Sequence, residues 1–185
     1  MNKYKNIYEK FLIVKIVVSK PFIFLFKRLP HFIKNVWLFR KELNDFYPFD
    51  WSYPLGMFRR SLELESEYIY KHGNEETDVK NKKISMMNRA VQIMLIHENE
   101  LFLTLAERQL GYEYKLEIFN KEGESNLTYN DKEKNTALIK KSEEIEDDLW
   151  VELLDILDGQ DLSMVKSEEE WKKRFDGSGF KTWWD

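Results

Sequence analysis

The side chains able to do chemistry in this chain are few and widely spaced. There are three histidines, His31, His72 and His97, and no cysteine. Without cysteine there can be no disulfide, no thiolate nucleophile and no Cys-containing zinc site. His97 opens the run His-Glu-Asn-Glu, which lacks the second histidine of H-E-x-x-H, and no Glu-x-x-His pair exists to build a di-iron bundle. His72 is expected at a helix C-terminus, where positive charge is favoured, and His97 at the rim of another helix end. No metal site is expected from them. Glu113-Tyr114-Lys115 resembles the E-x-K element of metal-dependent nucleases, but a tripeptide occurs by chance and no Pro-Asp strand precedes it. A charged strand edge accounts for it better. Gly177-Ser178-Gly179 lacks the spacing of the G-x-S-x-G nucleophile elbow, and neither a Walker loop nor a dinucleotide fingerprint occurs. The acidic run from Glu143 to Asp148 has neither the glycine nor the alternate spacing of a calcium loop and reads as a solvated helix face. The expectation is no catalytic residue, no cofactor and no small-molecule substrate.

Charge is the next feature with chemical content. The formal net charge is −4, yet Met1 to Lys41 carries ten Lys and Arg against Glu9 alone. The polarity reverses after Ser142. A basic end of this kind can meet an anionic partner, and Lys27, Arg28, Lys34, Arg59 and Arg60 are the candidate nucleic-acid contacts. The bland alternative is that the two halves complement each other within the fold or a dimer. A stacking platform for single-stranded nucleic acid would interleave cations with aromatics. In the aromatic linker Tyr47, Phe49, Trp51 and Tyr53, the interleaved charge is Asp50. That linker is expected to pack as an apolar plug.

These residues need elements to hold them. In 185 residues, 43% are hydrophobic and 15% aromatic, enough to fold, whereas 7 Gly and 4 Pro leave little for the turns of a β-sandwich. The organising stretch is Asp50 to Leu110, read as two antiparallel amphipathic helices. One carries Leu55, Phe58, Leu62 and Ile69, the other Ile84, Met87, Val91, Met94 and Leu95. His72-Gly73 stops the first, and Thr77 or Asp78 is expected to cap the second. A helix over His31 to Phe46 precedes them, started by Pro30. Tyr112, Tyr114, Leu116 and Ile118 alternate with charges, so a small β-hairpin near 112–129 is expected, though a helix would accept the same residues. Asn130 or Asp131 then caps a helix to about Leu157, with Leu138, Ile145, Leu149, Leu153 and Ile156 as its stripe. Ser167 and Glu170 form a capping box for a last short helix. The fold expected is mainly α, a helical bundle in one domain over 1–185. Its parts are basic, apolar helices over 1–46, the hairpin over 50–110 and acidic helices over 130–185.

The N-terminal segment Tyr4 to Ser19 is apolar with a basic start, but Lys15 and Lys20 interrupt it well short of the roughly 20 apolar residues of a membrane span. No small-x-small cleavage pattern follows, so a secretory signal is not expected. A membrane-surface helix remains an alternative to a core or partner-binding helix. A cytoplasmic location is the expectation.

Trp51-Ser52-Tyr53-Pro54-Leu55, followed by Leu62-Glu63, by Lys71-His72-Gly73 and by Trp183-Trp184-Asp185, resembles a set of small uncharacterised proteins of tailed bacteriophages. That resemblance implies an accessory or virion-associated protein in a bacterial host, and brings no activity or site residues. The function expected is protein–protein interaction without catalysis, through a partner or a homo-oligomer. Phe22, Phe24, Phe26, Trp37, Trp183 and Trp184 are the candidate anchors, because aromatics dominate interface energetics. Nucleic-acid binding is the alternative, and a metal-dependent hydrolase the second alternative.

Overall fold

A computed structural model describes residues 28–44, 52–120 and 122–183. The chain packs as two compact units, Met1–Tyr53 and Pro54–Asp185, each taken by itself below. Eight helices are formed among the described residues: α1 Leu29–Leu38, α2 Arg40–Asn44, α3 Ser52–His72, α4 Thr77–Glu98, α5 Phe102–Leu110, α6 Tyr129–Asp158, α7 Glu168–Arg174 and α8 Phe180–Trp183. The fold is mainly α, and none of these helices is long and apolar enough to cross a membrane.

In the second unit α3 and α4 form the antiparallel pair. Gly73 closes α3, its N–H bonding Ile69 O at 2.8 Å, and α4 begins four residues later. The pairing is fixed at both ends by charge. Arg59 of α3 donates Nε to the Glu98 carboxylate of α4 at 2.7 and 2.9 Å, and at the turn Lys83 donates Nζ to Glu75 at 2.6 Å. Between these ends Ser66 Oγ reaches Asn88 Oδ1 at 3.2 Å. Leu62 and Ile69 of α3 pack with Met87, Ala90, Ile93 and Met94 of α4, and α6 covers them with Leu153 and Ile156. Arg89 of α4 and Glu152 of α6 add a bidentate clamp, both bonds 2.6 Å, at the edge of this core.

The second helix of the expected hairpin does not run through to Leu110. It stops at Glu98, and Glu100 turns the chain at φ +49° before α5 begins. The break lets α5 lie on the N-terminal half of α6, where Ala106 meets Leu138 and Ile145 in a smaller apolar cluster. Similarly, α1 and α2 break at Phe39, inside what the sequence reads as one helix over His31 to Phe46.

The β-hairpin reduces to one antiparallel bridge, Phe119 with Ser125. The turn between them is tied by Asn120 N–H to Glu124 O at 2.9 Å and by Asn126 N–H to Ile118 O at 3.1 Å. Among the described residues no strand forms, and two asparagine amides take a partner strand's place along 115–118. Asn135 accepts from Lys115 N–H at 3.0 Å and donates to Lys115 O at 2.7 Å, while Asn126 accepts from Ile118 N–H and donates to Leu116 O. Thr128, read as strand, instead caps α6. Its Oγ1 accepts from Asp131 N–H and its own N–H donates to Asp131 Oδ2, a reciprocal box that moves the cap two residues ahead of Asn130.

The C-terminal segment returns to the core. Ser167 Oγ caps α7 through Glu170 N–H, and Trp171 stacks on Phe175 with ring centres 4.6 Å apart. Gly177 then passes so close to α4 that a Cβ there would sit 2.2 Å from Lys82 O, at a φ of +97° that side chains rarely adopt. Glycine at this point is what lets α8 bring Trp183 inside.

Candidate functional site

The first unit carries exposed apolar surface on a regular element. Helix α1 has Pro in its first turn, where the missing N–H costs nothing, and it buries no residue. Phe32, Ile33, Val36 and Trp37 recur at helical spacing on one stripe, and Phe32 and Trp37 are 63% and 62% exposed. Arg40 folds back over this stripe. Its guanidinium lies 4.4 Å from the Trp37 ring centre and donates to Trp37 O at 2.8 Å. Arg28, Lys34, Arg40 and Lys41 are exposed around the stripe. The result is an apolar ridge in a cationic frame, with Trp37 held in place by a stacked arginine.

The other expected anchors fall differently. Trp183 is 2% exposed and belongs to the main core, where its Nε1 donates to Gly177 O at 2.7 Å. An indole so placed packs the chain's own fold and presents no surface, so its expected anchoring role is corrected to a structural one. Phe22, Phe24, Phe26, Lys27, Trp184 and the aromatic plug from Tyr47 to Trp51 lie outside the described residues.

Among the cations proposed for nucleic acid, Arg28 and Lys34 are exposed on α1. Arg59 and Arg60 belong to the bundle and are matched there by carboxylates. Arg59 bonds both Glu98 and Glu63, and Arg60 donates to Glu63 at 2.7 Å. Burial opposes the Arg59 charge, but Glu98 and Glu63 outweigh it and hold the guanidinium above its ordinary range. A phosphate would have to displace two carboxylates to use this arginine.

The residues singled out for catalysis are not brought together. Glu113 is exposed, and Lys115 Nζ pairs with Asp131 at 2.6 Å. That ammonium, with the bonds from Thr128, holds the Asp131 carboxyl down at about 2. The lysine of the E-x-K element thus supports a helix cap. Ser178 Oγ donates to Asp176 Oδ1 at 2.6 Å in a tight turn. Among the described residues no three His, Asp or Glu converge on a point where a metal could sit.

His31 is exposed on α1, and His72 ends α3 with its ring 5.0 Å from that of Tyr68. His97 stands in the last turn of α4, at the helix end where the sequence places it, but not on an exposed rim. It is wholly buried, its ring 4.1 Å from Trp150 and 4.9 Å from Phe102, and neither ring nitrogen has a protein hydrogen-bond partner. Burial pushes its pKa below the ordinary histidine value. Lys83 is the second buried polar residue that hydropathy assigns to the surface. Both were legible as members of the α4 stripe 83, 87, 90, 94, 97, which alternates steps of four and three.

Compared with known protein families, with curated proteins and with solved structures, the chain matches none.

Proposed function

We propose that this protein works by binding another protein chain through the apolar stripe of α1, and that it carries no catalysis of its own. The observation behind this reading is the exposure of Phe32, Ile33, Val36 and Trp37 together on a helix that buries nothing. An apolar stripe at i, i+1, i+4, i+5 is the form in which an amphipathic helix enters a hydrophobic groove. Trp37 serves as the central anchor, since tryptophan and arginine contribute disproportionately to interface energy, and Arg40 braces it. The exposed cations around the stripe favour a groove with an acidic rim. On the sequence resemblance alone, we place the protein among the accessory or virion-associated proteins of tailed bacteriophages, acting in the host cytoplasm.

The test is affinity purification of the tagged protein from bacterial lysate treated with nuclease, with the Trp37→Ala and Phe32→Ala variants run in parallel. A stoichiometric protein partner held by the parent and lost from both variants supports the reading, as does a homo-oligomer that Trp37→Ala dissociates. Partners retained equally by both variants refute the role of α1. Recovery of nucleic acid alone refutes the protein reading and favours Lys27, Arg28 and Lys34.

A further inference from the structure

The outward side of α6 in the second unit carries an apolar strip in an acidic frame. Asp147, Val151, Leu154 and Asp158 follow one another at steps of four, three and four, so they share one face of the helix. Val151 and Leu154 are 59% and 60% exposed. Asp147, Asp148, Asp155 and Asp158 are exposed around them, and none is paired with a cation among the described residues. Beside Leu154 the surface opens into a groove of about 580 Å³, lined by Phe58 of α3, Leu154, Leu157 and Phe180 of α8 together with Asp155 and Asp158. Phe58 and Phe180 meet edge to face with ring centres 5.6 Å apart, which gives the groove a fixed aromatic lining.

Contiguous apolar surface with a polar rim marks a place that another chain covers. Whatever covers this face must present apolar carbon edged by cations, and nucleic acid is repelled by the four carboxylates. Helix α1 of this same sequence has that make-up. Phe32, Ile33, Val36 and Trp37 form its stripe, and Arg28, Lys34 and Lys41 stand exposed around it with no carboxylate partner among the described residues. Each surface therefore holds the charge that the other lacks, and such complementarity selects partners and fixes their register. We infer that α1 of one copy docks on the α6–α8 groove of a second copy. Trp37 packs against Phe58, Leu154 and Phe180 there, and the α1 cations face Asp155 and Asp158. This inference rests on the α1 reading above and names its partner.

The experiment is sedimentation velocity of the full-length protein from about 1 to about 100 µM. Reversible self-association is expected, weakened by added salt because exposed charges form part of the contact. Trp37→Ala on the helix side and Leu154→Arg on the groove side should each weaken it at least about tenfold. Val151→Arg is a second groove-side variant, and the exposure of both aliphatic side chains leaves the bundle little packing to lose, which an unchanged circular dichroism spectrum checks. The decisive sample mixes dye-labelled Trp37→Ala protein with Leu154→Arg protein. Neither associates with itself, yet the groove of the first and the α1 of the second make one intact contact, so the label should sediment faster in the mixture. A monomer at every concentration, no complex in the mixture, or association indifferent to both groove-side variants would overturn the inference. Capture of a lysate protein that is lost with Trp37→Ala would then leave the α1 reading standing, whereas capture and self-association both indifferent to Trp37→Ala would remove the two together. A monomer that cosediments with phosphatidylserine-containing vesicles would assign α1 to a membrane surface and overturn the inference as well.

Discussion

Lowering the pH through the ordinary histidine range places a proton on His97 in the unfolded chain before it does so in the folded one, and stability should fall accordingly. The ring is wholly buried between Trp150 and Phe102 with no acceptor at either nitrogen, so the fold holds it neutral. Its pKa lies below the ordinary 6.5 because burial penalises the charged form. A folded-state pKa depressed below the unfolded value means that the unfolded state binds more protons in the window between the two. Stability conferred by the neutral ring is therefore complete above 6.5 and is lost as pH falls below it. Between the two pKa values one proton contributes a slope of at most about 1.4 kcal/mol per pH unit. His97→Leu fills nearly the same volume, cannot titrate, and removes two unsatisfied nitrogens. The variant should match or exceed the parent near neutral pH, and its advantage should widen as pH falls below 6.5. Urea unfolding followed by circular dichroism at several pH values measures this. The carboxylates are common to both proteins and cancel in the difference. A gap between variant and parent that stays constant from about pH 8 to about 5 would refute the reasoning.

Three further substitutions probe the devices that shape the bundle. Gly177→Ala should cost more than about 2 kcal/mol, since the new methyl meets Lys82 backbone oxygen at 2.2 Å, whereas Gly111→Ala, at φ +76° in open space, should cost only about 1 kcal/mol by thermal melting. Asn135→Ala strips both bonds from Lys115 and should destabilise by about 1–3 kcal/mol, with faster hydrogen exchange at the Lys115 amide. Exchange at that amide unchanged from the parent would count against the strand-mimic account. Lys83→Met leaves Glu75 without its ammonium and should cost about 1–3 kcal/mol, of which the double variant with Glu75→Gln recovers more than half. Additive losses in that cycle would show that the pair is not coupled.

The parts of this fold that were legible in the sequence are those where apolar spacing and burial coincide. The α6 stripe from Leu138 through Ile145, Leu149, Leu153 and Ile156 reads as it packs, as does the Ser167 cap of α7. Reading failed where a polar group does structural work that residue type alone does not announce. Asn135 and Asn126 replace a strand, so the alternation over Tyr112 to Ile118 has an extended backbone but no sheet. Thr128 and Asp131 form a box whose cue, Thr-x-x-Asp, carries an acid one methylene shorter than the usual Glu. In α4 a hydropathy reading selects Ile84, Val91 and Leu95, yet the backbone rotates the stripe to Lys83, Ala90 and His97, leaving Leu95 38% exposed.

That rotation has a physical cause. Ala90 offers little side chain to hold the neighbouring helices apart, and Glu75 neutralises the ammonium that the rotation buries. The same step leaves Glu75 Oε2 buried without a donor and seals His97 against Trp150. The two groups in the bundle with unmet chemistry are therefore products of one packing choice, made at Lys83 and His97 on a single face of α4.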